Sequence, residues 1–191
     1  MTVDLNLGDT QRILTECRAR GCTRQQTAYI LATAFWETAR TMKPVREAFW
    51  LSEEWRRQNL RYYPWYGRGY VQITWQENYR NAGAKLGIDL TTDPDAVMQP
   101  EVAAPILVRG MMEGWFTGKP LTKYVNDNQT DFHEARRVVN GVDKAREIAG
   151  IAEKYDEALK PIWSAPKQTW FWSGLLAWIT ALLGRIFGIR Q

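Results

Sequence analysis

Through the first 160 positions, polar and apolar residues alternate mostly at helical spacing. Gln11 to Arg20 predicts a helix, opened by Asp9 or Thr10 and stopped by Gly21. Thr23 and Gln26 form a T-x-x-Q capping box before a second helix. Ile30, Leu31, Ala34 and Phe35 are its core-facing positions, and it is expected to run to about Arg40, with Pro44 preventing continuation. From Lys43 to Arg68 the pattern turns irregular, aromatic and Arg-rich, the composition of a cleft wall or an ordered loop. Tyr70 to Trp75 is either a short strand or an extended lead into a helix holding Asn78, Tyr79 and Ala82, which Gly83 and Gly87 break.

Beyond a Pro- and Asp-rich loop from Thr91, a helix is expected from Pro100 to about Phe116, with Pro105 in the first turn or so. Asp131 to Val139 and Asp143 to Leu159 predict two more, the first ended by Asn140-Gly141. The sum is a mainly α domain with little sheet over residues 1–160. Residues 161–167 follow as a linker, and residues 168–191 as a hydrophobic helix with basic flanks.

That last segment changes the reading of the net charge of +4. Four of the 25 basic residues (Lys160, Lys167, Arg185 and Arg190) lie from position 160 onward with no acid among them, leaving 21 to balance 21 acids in the rest. The excess therefore belongs to the tail, and neither this distribution nor any motif supports nucleic-acid binding. Gln168 to Gly184 contains no charged residue, and as a helix it would be about 26 Å long, near the lower limit for spanning a bilayer. Trp170, Trp172 and Trp178 decorate it, and Ser173, Ala177, Thr180 and Gly184 form a narrow small or polar stripe. The expectation is a membrane-interacting helix, spanning or lying in the interface, although a final core helix has the same composition.

The N-terminus MTVDLNLGDT has no basic start and no apolar run, so it does not predict a signal peptide. Cys17 and Cys22 make no disulfide framework, and with His133 as the only histidine they are too few for a zinc site. No metal or cofactor is expected.

Candidate chemistry begins with Glu37 in AFWETA. Apolar neighbours disfavour the charged form of a carboxylic acid and suit it to donating a proton to a departing sugar oxygen. A Glu on a helix is nevertheless most often a solvated residue. Glu47 follows ten residues on; a turn at Lys43-Pro44 would bring it back toward Glu37, and Glu53 and Glu54 compete with it as partner. An inverting glycosidase needs its two carboxyl groups roughly 6.5–9.5 Å apart with water between them. In Tyr66 to Tyr79, Gly67 and Gly69 permit close backbone approach, while Gln72, Thr74 and Asn78 are spaced to aim neutral polar groups into a cleft. A polar turn capping a helix accounts for the same residues. The segment lacks the G-K-[ST] of a phosphate loop.

AYILATAFWETARTMKPV, YYPWYGRGYVQITWQENYRNAG and ARRVVNG occur in the order seen in glycoside hydrolase family 19. Over about residues 10–160 the chain resembles the phage endolysins related to plant-type chitinases. The resemblance implies a lysozyme-like helical fold and a metal-free inverting mechanism. It makes Glu37 the catalytic acid, Thr74 the residue that positions water, Gln72 and Asn78 substrate-binding residues, and Asn140 the Asn of the family's I-N-G motif. Glu47 as general base follows the shorter phage-type pattern, since the plant enzymes carry their second Glu farther along. Trp36 stands where the family usually has His. Tyr62, Tyr66 and Trp75 are expected to line the glycan cleft, supported by Arg136 or Arg137. The implied substrate is the β-1,4-linked glycan of peptidoglycan, with chitin, or membrane disruption beside a vestigial enzyme domain, as alternatives. The protein is expected to be a monomer in the host cytoplasm that then engages the bacterial membrane through its tail and reaches the wall.

Overall fold

In a computed structural model, residues 2–163 are described. Among the described residues, six α-helices, three 3-10 segments and two antiparallel ladders of two residues per strand make up the fold, which is mainly α with little sheet.

α1 spans Thr10–Ala19 and buries Ile13, Leu14 and Cys17, one face at i, i+1 and i+4. Asp9 does not cap it with its side chain; the carboxylate instead accepts a hydrogen bond from the Tyr70 hydroxyl at 2.7 Å. α2, Arg24–Glu37, begins with the expected box: Thr23 Oγ1 accepts from the Gln26 amide, and Gln26 Oε1 accepts from the Thr23 amide. Every residue from Gln26 to Phe35 is buried, so α2 is the central helix, packed against α1 and α5 (Pro100–Glu113).

α2 stops three residues short of the expected Arg40. Ala39, Arg40 and Met42 all take left-handed φ values, +50°, +69° and +54°, which reverse the chain. Thr38 fixes the reversal, its hydroxyl donating to Ala34 O at 2.7 Å and accepting from the Met42 amide at 3.0 Å. A Cβ on Gly8 would lie 2.5 Å from Thr41 O, so the turn is also packed hard against the segment before α1.

The stretch from Lys43 to Arg68 is more regular than its composition suggests. β1, Val45–Arg46, pairs with β2, Arg68–Gly69, in the register Val45↔Gly69 and Arg46↔Arg68. Between them lies α3, Glu53–Asn59, capped by Ser52 Oγ at the Trp55 amide, with Glu53 and Glu54 in its first turn and Arg56 and Arg57 in its last. Tyr70 to Trp75 is no strand: Arg68 and Ile73 bridge each other, and Gln72 and Trp75 carry φ of +55° and +73°. α4, Gln76–Leu86, runs through Gly83 and ends at Gly87, φ +73°. Gly83 is required inside the helix, since a Cβ there would stand 2.5 Å from Ile88 O.

α5 stops at Gly114, φ +76°, before the expected Phe116. β3, Val125–Asn126, and β4, Gln129–Thr130, form a hairpin that no strand signal predicted. Glu134–Val138 is a 3-10 segment rather than an α-helix. α6, Ala145–Trp163, passes through Pro161, so the first three residues of the expected linker are helical. The tail from 168 onward lies outside the described residues, among which no helix is long and apolar enough to cross a membrane.

Candidate active site

Glu37 is the last residue of α2, where the reversal at Thr38 to Met42 begins. Its surroundings are less apolar than AFWETA implies. Arg136 Nη1, from the 3-10 segment Glu134–Val138, donates to Glu37 Oε1 at 2.6 Å, while Arg136 Nε donates to Asp143 O at 3.2 Å. The Arg136 side chain is 5% exposed and that of Glu37 20% exposed, so the pair is an oriented, largely desolvated charge-assisted bond.

Glu47 follows directly on β1, and its amide donates to Gly67 O at 2.7 Å. Its carboxylate is held from two sides: the Tyr62 hydroxyl donates to Oε1 at 2.6 Å and the Gly67 amide to Oε2 at 2.9 Å. Each oxygen retains a lone pair for a further donor. Burial first, and then the carboxylate beside it, push the Tyr62 phenol up to about 12. Gly67 is required by space: a Cβ would lie 2.8 Å from Gln72 Oε1 and 3.2 Å from Glu47 Oε2. Both rivals of Glu47 are taken by arginines. Glu53 accepts from Arg56 and the Tyr66 hydroxyl, and Glu54 accepts from Arg57. Burial alone would raise the Glu53 carboxyl, but Arg56 and Tyr66 outweigh it and hold it below its ordinary value.

The Y-G-R-G turn gathers most of the other candidates. Gln72 donates through Nε2 to Val45 O and Gly69 O, tying the turn to β1 and leaving its amide oxygen beside Gly67. Thr74 donates to Gln72 O at 2.9 Å, and Asn78 Nδ2 donates to Thr74 O at 2.7 Å. Trp75 is 45% exposed and meets the half-buried Tyr62 edge-on, with ring centroids 5.0 Å apart. Asn140 is exposed at the end of the Arg136 segment, its Oδ1 accepting from the Gly141 amide.

Tyr66 departs from the expected role. It is 1% exposed, with its ring under the Arg68 guanidinium at 3.6 Å and its hydroxyl on Glu53, so it has no face to offer a glycan. Arg137 pairs with Glu134 and not with the Glu37 carboxylate, so of the two arginines Arg136 is the one that holds Glu37.

Three supporting residues were not anticipated. Arg56, 7% exposed, donates through Nη1 to the carbonyls of Ala48 and Leu51 at 2.8 and 2.9 Å. Arg68, 3% exposed, binds Asp95, Pro64 O and the Tyr79 hydroxyl beneath the turn. Asp95 also accepts from Arg46; burial would raise its carboxyl, but the two guanidiniums hold it low. Buried arginines are rare unless they hold backbone carbonyls or carboxylates, and both do so here. Among the described residues, no three metal-ligating side chains gather.

A small helical domain with one carboxylate at the end of its central helix and another in an adjoining two-stranded turn has the lysozyme-like architecture. Residues 40–121 match glycoside hydrolase family 19, described as chitinase class I. An endochitinase of Arabidopsis thaliana is 58% identical over 40 residues, 20% of this chain and 14% of its own length. Chitinase 8 of Oryza sativa subsp. japonica is 49% identical over 41 residues, 22% of this chain and 16% of its own length. The matches thus span about a seventh of these curated relatives. The crystal structure of chitinase C from Streptomyces griseus superposes with a TM-score of 0.57 at 22% identity, covering 78% of this chain and 66% of that one. A family 19, class IV chitinase from Zea mays gives 0.52 at 19% identity, covering 81% and 83%. At these identities the likeness is one of fold.

Proposed function

We propose that the protein is a glycosidase that hydrolyses the β-1,4-linked glycan of bacterial peptidoglycan, in the manner of a phage endolysin. The observation that carries the glycosidase reading is the unequal pair of carboxylates. Glu37 is gripped by one buried guanidinium, and Glu47 is aimed by a phenol and a backbone amide inside the family 19 segment.

Glu37, carrying the proton in the productive state, donates it to the departing glycosidic oxygen. Glu47 takes a proton from water that attacks the anomeric carbon from the opposite face, in one displacement with inversion. Thr74, whose hydroxyl hydrogen is committed to Gln72 O, offers its oxygen to orient that water. Trp75, Asn78 and Asn140, all exposed, contact the sugar, while Gln72 shapes the floor through its bonds to Val45 O and Gly69 O. The proposed displacement needs only the two carboxylates and water.

The tail supports peptidoglycan over chitin, because an apolar segment with basic flanks serves an enzyme that must reach a bacterial wall across a membrane. On this reading the protein is a monomer that collects in the host cytoplasm, then meets the membrane through residues 168–191. The names of the relatives favour a second reading, hydrolysis of chitin. Release of reducing ends from purified peptidoglycan and from chitin, by the wild-type protein and by Glu37→Gln, separates the two. Peptidoglycan cleavage that disappears in Glu37→Gln is the expected result. Cleavage of chitin alone would transfer the assignment. Lysis that survives Glu37→Gln would point instead to membrane disruption by the tail.

A further inference from the structure

Two and three residues past Glu47, Phe49 and Trp50 are 58% and 72% exposed, more than any other large apolar side chain among the described residues. Burying such rings stabilises a fold, so two left in water side by side point to a surface with a use. Their presentation is built in. The buried guanidinium of Arg56 gathers the carbonyls of Ala48 and Leu51, the Leu51 amide donates to Ala48 O at 2.9 Å, and Ala48 takes a left-handed φ of +49°. Ser52 then starts α3, so the chain from 47 to 52 is fixed at both ends. Within it Phe49 meets Trp50 edge-on, centroids 5.2 Å apart and planes at 82°, which braces the indole while leaving most of it open.

The neighbouring carboxylate identifies the occupant. At most about 3.6 Å of chain per residue separates these rings from Glu47, so a polymer held at Glu47 has its adjoining units within their reach. The faces of pyranose rings carry C–H groups that pack on aromatic rings, whereas their hydroxyls point outward to polar partners. We propose that Trp50, braced by Phe49, is a sugar-stacking platform beside Glu47 that holds the glycan polymer outside the reacting linkage. This rests on the glycosidase reading, and it assigns the pair a role in gripping long substrates and none in the bond-breaking step.

The test uses the full chain, with Trp50→Ala and the ring-preserving Trp50→Phe, each first shown to match the wild type by circular dichroism. On the long polymer that the protein cleaves, Trp50→Ala should raise KM about tenfold, equivalent to about 1.4 kcal/mol, with kcat within about twofold. Trp50→Phe should recover most of that loss, and an oligosaccharide too short to leave the cleft should show neither effect. Unchanged KM on the polymer for Trp50→Ala would overturn the proposal. A second arm measures cosedimentation of Glu37→Gln protein with purified peptidoglycan and chitin, and separately with anionic phospholipid vesicles. Loss of polysaccharide binding on adding Trp50→Ala supports the platform even if no reducing ends are ever released, in which case only the glycosidase reading fails. Loss confined to the vesicles would make the pair a lipid contact and refute the platform.

Discussion

Arg136 Nη1 lies 2.6 Å from Glu37 Oε1, joining residues 99 apart in the chain at the mouth of the central helix. The bond orients the carboxylate and also neutralises a guanidinium that is almost wholly out of water. Replacing either partner should therefore disturb folding and, on the glycosidase reading, turnover, and the two effects can be separated.

Glu37→Gln should keep the hydrogen bond from Arg136 while removing the transferable proton. Turnover should fall by about 10²–10⁴, and the denaturation midpoint should fall as well, because the buried guanidinium loses its counter-charge. Arg136→Ala should lower stability by up to about 3 kcal/mol, because it strips a largely desolvated carboxylate of its partner. Guanidinium chloride titration of both single variants and the double variant measures the coupling. Equal midpoints throughout would show that the pair contributes nothing.

Glu47 depends on two donors of different kinds. Tyr62→Phe removes one at a net cost of about 1 kcal/mol, and kcat should fall about fivefold with KM nearly constant if its work is to aim the base. Gly67→Ala should be worse, since its methyl group meets Glu47 Oε2 and Gln72 Oε1 together. Initial rates of reducing-end release are the measurement. A Gly67→Ala enzyme with full activity would contradict the tight packing around Glu47.

Alkali should loosen the fold through its tyrosines. Burial is the first cause that holds Tyr29, Tyr62, Tyr66, Tyr70, Tyr79 and Tyr155 above the ordinary phenol value, with Tyr62, Tyr79 and Tyr155 each at about 12. The folded state then keeps protons that the unfolded state gives up from about pH 10. Their stabilising contribution is complete below about pH 10 and is lost as pH climbs toward 12. Phenolate absorbance and helical circular dichroism, followed together, should change in one step. Six phenols ionising near pH 10 with the helices intact would refute this.

The two thiols should differ. The side-chain hydrogen bond with Cys17 lowers the Cys22 thiol despite its burial, while burial and then Cys22 raise Cys17. The thiolate is the reactive form, so a small alkylating reagent at neutral pH should label Cys22 first. Peptide mapping after partial labelling decides the order, and preferential labelling of Cys17 would reverse the assignment.

Much of the scaffold was legible because its signals are local. Thr23 and Gln26 are three residues apart, Gly87 ends a helix from the next position, and the Y-G-R-G turn is contiguous. The failures share a cause as well. α3 has Ser52, two acids and two arginines in helical order, but dense aromatics on either side masked them. Gly83 has the local signature of a breaker, although its lack of a side chain serves contact with Ile88 O, which is tertiary. Tyr66 stood among cleft aromatics by composition, and only the positions of Arg68 and Glu53 show that it is roofed over. The partner of Glu37 lay beyond any local pattern, since both Arg136 and Arg137 fit the sequence equally well.

The Glu37–Arg136 bond also bears on how this domain can be transplanted. The segment that matches family 19 covers residues 40–121, so it contains Glu47, Gln72 and Thr74 but neither end of that bond. A chimaera cut at those borders would carry Glu47 into its new host and leave Glu37 and Arg136 behind. Because α2 packs against both α1 and α5, the same cut would also divide the core. The smallest exchangeable cassette must therefore open before α1 and close after Asp143, whose carbonyl holds the far side of Arg136.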